Sequence, residues 1–477
     1  MRRPARSRPR GVRAGALSVA AVLLLLIAGC TAGGGDRGTD ADGTIRLRFL
    51  SLAWQKESVD ANKALVAEWN AAHPRVRVEY VQGSWDSVHD QLLTSFEGGE
   101  APDLIHDASD DLADFAYAGY LADLRPLLSA RLRADIPEES WRTTTVGDGV
   151  YGVPFLQEPR LIMANRTLLR QAGVRIPTAE QPWTWAEFRQ VARDLTASMR
   201  KESGGGGGGG GDGGGGGGGE SGGSGESGGG KETYAVAWPL KEPVSVSLNL
   251  GLSAGGRLFH RGPGTDGKVA IRFGDADAVV PGTIRAMART DRTASPETLA
   301  SGGSDILPGF FAGTYAMVPL GFSYRQQIAQ QAPEGFDWTV LPAPAGDGGL
   351  AQGVSPQTLS IAEDSPHKKE AAAFLDFFLQ PRNTVRLALG DWMLPTSVTA
   401  LADPALHTEE FGWATGAAVA RRLRPAPAQS VRGYPEWKDK VATPAFQEYY
   451  SGAIDTEELR RRLETDGNRV LARYQRD

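Results

Sequence analysis

The stretch Tyr151–Leu195, YGVPFLQEPRLIMANRTLLRQAGVRIPTAEQPWTWAEFRQVARDL, sets a strand, a turn, a second apolar run, a helix end and a capped amphipathic helix in one continuous order. Tyr151–Phe155 reads as a short buried strand. Thr184–Glu187 reads as a capping box, in which the Thr184 side chain accepts from the Glu187 N–H and the Glu187 carboxylate reaches back to Thr184. Phe188, Val191, Ala192 and Leu195 then recur at helical spacing, which predicts a helix packed by one face.

Upstream, Ile45, Leu47 and Phe49 alternate with Arg46 and Arg48, the pattern of a half-buried strand. Ser58 is expected to cap a helix that carries Leu65, Val66 and Trp69 on one face and ends at His73-Pro74. Val76, Val78 and Tyr80 predict a second strand, Ser87–Glu97 a second helix, and Pro102–Ile105 a short buried strand. Strand, helix, strand, helix, strand is the order of a parallel sheet covered by helices. Downstream, a helix is expected from Ser365-Pro366, burying Phe374, Leu375, Phe378 and Leu379 and breaking at Gln380-Pro381.

The amino terminus reads as an address. Six arginines between Arg2 and Arg13 precede an apolar run centred on Val22–Ile27, too short to span a bilayer, which predicts a signal peptide over 1–29. Ala28-Gly29 before Cys30 resembles a bacterial lipobox, so Cys30, the only cysteine, is expected to carry lipid. Residues 30–43, rich in Gly, Asp and Thr, are expected to form a flexible tether. No second long apolar stretch follows, so the membrane is reached through the anchor only. The chain has a net charge of −6, and removal of the six arginines with the signal takes it to −12, which argues against nucleic acid as a partner. An apolar fraction of 41% is that of an ordinary globular protein, so a packed core is expected.

Residues 203–230 are almost pure glycine and are expected to form a disordered loop insert. The nearest approach to a phosphate loop is Gly230-Lys231-Glu232. It lacks the Ser or Thr after the lysine that would hold magnesium, and a helix rather than a strand precedes it. No cofactor is expected. His89 and His106 do not stand at a metal-ligating spacing, and no nucleophile elbow or H-E-x-x-H motif is present, so an enzyme is not expected.

Seven blocks, taken in order, carry a resemblance: APDLI (101–105), YGVPF (151–155), LIMANRTLLRQAG (161–173), PWTWAEFRQVARDLT (182–196), ILPGFFAGTYAMVPLGFSY (306–324), SIAEDSPHKKEAAAFLDFFLQP (360–381) and GDWMLPT (390–396). Behind a lipobox signal, they are similar to the bacterial extracellular solute-binding proteins of family 1, receptors that feed ABC importers, many of them for sugars and oligosaccharides. The resemblance implies an α/β fold of two lobes, each a mainly parallel sheet flanked by helices, joined by a hinge of several segments. The amino-terminal lobe would hold 44–154 plus 356–389, and the carboxy-terminal lobe 155–353 plus 390–477. A small solute, most simply a saccharide, would lie between the lobes and be delivered by a monomer to permease subunits, on the extracytoplasmic face of the bacterial membrane. At the family's usual Gly-x-Trp this chain has Gly321-Phe322-Ser323-Tyr324, so the platform is replaced or shifted.

Sugar hydroxyls suit carboxylates and amides, and sugar C–H faces suit aromatic rings. Such residues are expected just beyond strand ends, where ligands of open α/β sheets bind. They are Trp54 and Gln55, Trp85 and Asp86, Asp107 after His106, Gln157 and Glu158 at the crossover, Trp238, Phe322 and Tyr324, and Trp392, with Trp54, Asp107 and Trp392 foremost. Asp110 and Asp111 read instead as a solvated helix start. Two rival functions use the same chain: an anchored glycoside hydrolase with an acid pair, and a surface receptor that signals occupancy to a sensor or adhesion partner.

Overall fold

The first strand, β1 (Ile45–Ser51), pairs in parallel with β2 (Val76–Gln82) and with β3 (Leu104–Ala108). A computed structural model describes residues 38–204, 232–262 and 268–475. The expected signal peptide, Cys30, the first part of the tether and residues 205–230 of the glycine insert lie outside the described residues.

Two sheets form the frame. The further strands are β4 (Val153–Gln157), β5 (Arg160–Asn165), β6 (Tyr234–Val236), β7 (Tyr315–Gly321), β8 (Trp338–Leu341), β9 (Gln357–Ile361) and β10 (Leu394–Pro395). The first sheet has the order β10-β4-β9-β3-β1-β2 and the second β8-β5-β7-β6. The two-lobed α/β class therefore holds, but the sheets are more mixed than expected. β9 runs antiparallel to β3 and β4, β10 is antiparallel to β4, and in the second sheet only β6 and β7 are parallel.

The lobe limits expected at Pro154/Phe155 and Leu389/Gly390 fall elsewhere. β4 continues to Gln157 within the first sheet, and Leu394-Pro395 adds an edge strand to that same sheet by pairing with Leu156 and Gln157. The alternation that placed a boundary at Phe155 cannot sense which sheet a short apolar strand will join.

Helices cover the first sheet as the sequence periodicity predicts. α1 (Lys56–Ala72) buries Ser58, Asn62, Leu65, Val66 and Trp69. Its N-cap is Gln55, not Ser58. Ser58 lies inside the first turn against Gly390, where a Cβ would approach the Ser58 Cα to 3.1 Å. α2 (Val88–Glu97) and α3 (Ser109–Tyr117) follow β2 and β3. α7 (Lys368–Phe378) begins slightly later than expected, and Pro381 is the first residue of α8 (Pro381–Asp391), so the proline separates two helices. Phe374 and Phe378 of α7 lie 5.7 and 5.3 Å from the ring of Phe49 in β1, and Trp69 meets Phe374 edge-on at 5.5 Å. Full burial of each such side chain contributes about 1.5–3 kcal/mol.

The tether expected through Gly43 is already ordered at Gly38. Thr39 bridges to Ile45, its hydroxyl lies 3.1 Å from His367 Nε2, and Asp40 pairs with Arg46 at 2.7 Å. The second sheet is covered by α4 (Trp185–Gly204), which runs to the first two residues assigned to the insert, and α5 (Pro243–Gly251) packs in the same core. The capping box forms as read: the Glu187 N–H donates to Thr184 Oγ1 at 3.1 Å, and the Thr184 N–H donates to Glu187 Oε2 at 2.7 Å. Thr184→Ala should lower stability by about 1 kcal/mol in urea unfolding, whereas Thr184→Ser should leave the midpoint close to wild type.

Candidate functional site

Because β1, β2 and β3 are parallel, their carboxyl ends share one edge of the first sheet, and the chain leaves each of them into Leu52–Gln55, Gly83–Trp85 and Ser109. His106 organises this edge from below. The Leu52 N–H donates to its Nδ1 at 3.0 Å, which places the ring proton on Nε2, 2.9 Å from Gln357 Oε1. Burial lowers its pKa to about 4, so the ring is neutral. Trp85 meets it edge-on at 5.6 Å.

Trp85, Asp86, His89, Asp107 and Asp111 line one depression of about 150 Å³. Asp107 is only 5% exposed; Oδ1 accepts from the Ala108 N–H at 2.8 Å and Oδ2 has no partner among the described residues. Burial, then the charge of Asp111, raises its pKa well above the carboxylate range. His89 Nδ1 stands 3.5 Å from Asp111 Oδ1, within ion-pairing distance, and that carboxylate raises the imidazole pKa.

Asp110, in the first turn of α3, stands on the same edge and is where groups of the second lobe reach it. Asp110 is open to solvent yet hemmed in by protein, and that enclosure raises its pKa, opposed by the 2.5 Å hydrogen bond from Ser355. The charges of Lys438 and Glu242 also act on it. Glu242, exposed just before α5, acts in addition on Arg160, Tyr324 and Tyr434. Burial lowers the pKa of Arg160 and raises those of Tyr324 and Tyr434. Carboxylates, two phenols, a guanidinium and an ammonium thus act on one another across the space between the sheets. Hydroxyl-rich ligands use such donors and acceptors in pairs. Among the described residues no group of three or more His, Cys, Asp or Glu is arranged to hold a metal.

The structure separates the expected residues. Trp85, Asp86 and Asp107 come together. Trp54 is 54% exposed at the same edge, and Gln55 is buried with its Nε2 unpartnered. Tyr324 is half-buried beside Glu158 and Arg160. Trp238 belongs to the core of the second lobe: it is 1% exposed, and its ring stands edge-on to Phe188 at 6.2 Å. Phe322 is likewise fully buried, edge-on to Trp413 at 5.5 Å. Neither offers a face to a solute. Trp392 is half-buried among Phe411 and Trp413, at 5.1 and 6.1 Å. Gln157 lines a separate cavity of about 450 Å³ with Val354, Pro356, Thr396, Leu423 and Arg424. Glu158 accepts from the Ser323 N–H at 3.0 Å. Asp110 is a solvent-exposed helix start as read, yet the charges of Lys438 and Glu242 act on it, and Arg160, Glu242, Tyr434 and Lys438 carried no signal that the strand-end rule would catch.

A family model for the bacterial extracellular solute-binding protein matches residues 53–385. The chain belongs to this family. A relative 65% identical over 441 residues, spanning 92% of this chain and 89% of its own length, is described as an uncharacterised lipoprotein in the oleD 5′ region of Streptomyces antibioticus. Among solved structures, the sugar-binding protein MalE of Xanthomonas citri superposes with a TM-score of 0.72 at 22% identity, covering 90% of this chain and 98% of that one. The GacH receptor of Streptomyces glaucescens GLA.O, solved unliganded and with acarbose and an acarbose homologue, gives 0.69 at 18%, covering 90% and 99%. The family and these neighbours are binding proteins.

The neutral His106 makes the stability of this binding protein depend on pH. The unfolded ring takes up a proton below about 6.5 while the folded ring resists until about 4, so stability falls as pH drops through that window, by up to about 3 kcal/mol. Asp391, raised to about 6 by burial, acts in the opposite sense, since the folded state keeps its proton as the unfolded carboxyl releases one. The His106 contribution is therefore read by difference: His106→Asn, which keeps an acceptor for the Leu52 N–H, should lose that acid-side decline in chemical denaturation at pH 4.5 against pH 7.

Proposed function

We propose that this binding protein captures a polyhydroxylated solute, a sugar or oligosaccharide, between its lobes and hands it to the permease of an ABC importer. The observation that carries this reading is a set of second-lobe polar groups, half-buried Arg160 and Tyr324 with exposed Glu242, whose charge also acts on Asp110 at the first-lobe edge that presents Trp54, Trp85 and the unpartnered Oδ2 of Asp107. A saccharide would hydrogen-bond to the carboxylates and lay its C–H faces on the rings. Closure would remove water from both and strengthen each polar contact. The acarbose-binding receptor and the sugar-binding MalE, which share this fold, support the choice of ligand class.

The protein works at the extracytoplasmic face, held by lipid on Cys30. The lipobox before Cys30 and the relative described as a lipoprotein support this. Hinge closure would bury the solute and present the closed form to the permease, which requires the solute to bind that form more tightly than the open one.

Screening a saccharide panel by tryptophan fluorescence and thermal shift tests the reading. A cognate sugar at about 100 times its Kd should add about 2.7 kcal/mol of stability, and a broad panel that produces neither signal would refute the sugar assignment. Glu242→Ala and Tyr434→Ala should each weaken affinity about tenfold or more, while Trp238→Phe should leave it near wild type, a contrast that isothermal titration reads directly. In cells, Cys30→Ser should move the protein from the membrane fraction to the soluble fraction.

A further inference from the structure

Helix α6 (Arg325–Gln331) opens directly after Gly321–Tyr324, the segment where this chain departs from the family's Gly-x-Trp pattern. Three contacts converge on its start. The Ser323 N–H donates to Glu158, which sits between β4 and β5, and the approach is close: a Cβ at Gly321 would stand 2.7 Å from Glu158 Oε2. Arg325 is fully buried, and among the described residues no carboxylate oxygen lies within ion-pairing distance of it. Its guanidinium donates instead to three carbonyls, those of Phe322 at 2.7 Å, Phe411 at 2.7 Å and Trp392 at 3.0 Å. It lies over the ring of Phe322 at 3.2 Å and that of Trp413 at 4.2 Å. The adjacent Gln326 is also buried, and its amide donates to Glu57 Oε2 at 2.6 Å.

Apart from Phe322, the acceptors are not local. Glu57 is in the first turn of α1, and Trp392 ends α8, which packs along α1. Both belong to the layer of the first sheet, whereas Arg325 and Gln326 follow β7 of the second. Trp392 and Phe411 moreover hold positive φ angles of 53° and 51°, a backbone state unfavourable for a bulky L-residue. A buried charge is tolerated only when its donors are satisfied, so the guanidinium holds those two carbonyls where they are. Cation–π contact with the surrounding rings adds to the same arrangement.

We infer that Arg325 and Gln326 are positioning residues that register the second lobe against the first, fixing the turn at Trp392 and the start of α1 from the opposite layer. The value of this registration to solute capture rests on the function proposed above; the registration itself does not. A plain core role for Arg325 would lower stability without altering the relation of the lobes, so the readouts are geometric and use no solute. Small-angle scattering of the full chain should give a larger radius of gyration for Gln326→Ala and Glu57→Ala than for wild type. Hydrogen exchange should speed up at Gly390–Leu394 in Gln326→Ala and in Arg325→Lys, which keeps the charge but cannot reach three carbonyls. Glu57→Gln, which retains an acceptor, should match wild type in both. Gln326→Ala is decisive because it removes little core volume: a radius or an exchange rate left at the wild-type value in that variant overturns the inference, even if its melting temperature falls.

Discussion

The chain passes from one sheet to the other in two residues, Glu158 and Pro159, and the remaining architecture accommodates that short crossing. β4 ends at Gln157 in the first sheet and β5 begins at Arg160 in the second. Pro159 has no N–H to continue a ladder, and its carbonyl accepts from Phe322 at 3.1 Å. The Arg160 N–H finds Gln352 Oε1 at 2.9 Å. So brief a link leaves little slack, and its polar groups are satisfied by segments distant in sequence that must arrive correctly placed. Gly321 is part of the same constraint, since only a residue without a Cβ leaves room for the Glu158 carboxylate.

The electrostatics of the space between the lobes follow from where the helices begin. α3 starts immediately after β3, so Asp107, Asp110 and Asp111 crowd within one turn of chain. The amino end of a helix tolerates negative charge, and Ser355 and His89 share some of it. Burial first, and then the repulsion that remains, raises the carboxyl pKa values of Asp107 and Asp110 in the folded state. Water and a polar guest relieve such crowding better than an apolar one.

Much of the frame was legible in the sequence. The alternation Ile45-Leu47-Phe49, the helical spacing of Phe374, Leu375, Phe378 and Leu379 and the Thr184–Glu187 box each report a local periodicity or a local hydrogen bond, and such signals survive into the fold. Sheet membership did not survive: Leu394-Pro395 is two residues long, and nothing local says that it will pair with Leu156 and Gln157. The site was half legible. Trp85, just past β2, and Asp107, at the end of β3, stand at the carboxyl edge of the parallel strands. Trp238 and Phe322 also follow strands, yet helices and the Trp413 ring cover them. Glu242, Tyr434 and Lys438 come from helix starts and a late segment, and their meeting with Asp110 depends on tertiary approach that no spacing encodes.

The turn at Gly38–Arg46 has a bearing on how the molecule is held. It is bound to the beginning of β1 by Thr39 and Asp40, whereas the groups that face the second lobe lie past the far end of that strand. Seven residues separate Cys30 from Gly38, a leash of at most about 30 Å when fully drawn out. A lipid on Cys30 would therefore tie the amino edge of the first sheet toward the headgroups. The mouth would stand roughly a further 20 Å away, so that the attachment limits tilt as well as height above the bilayer.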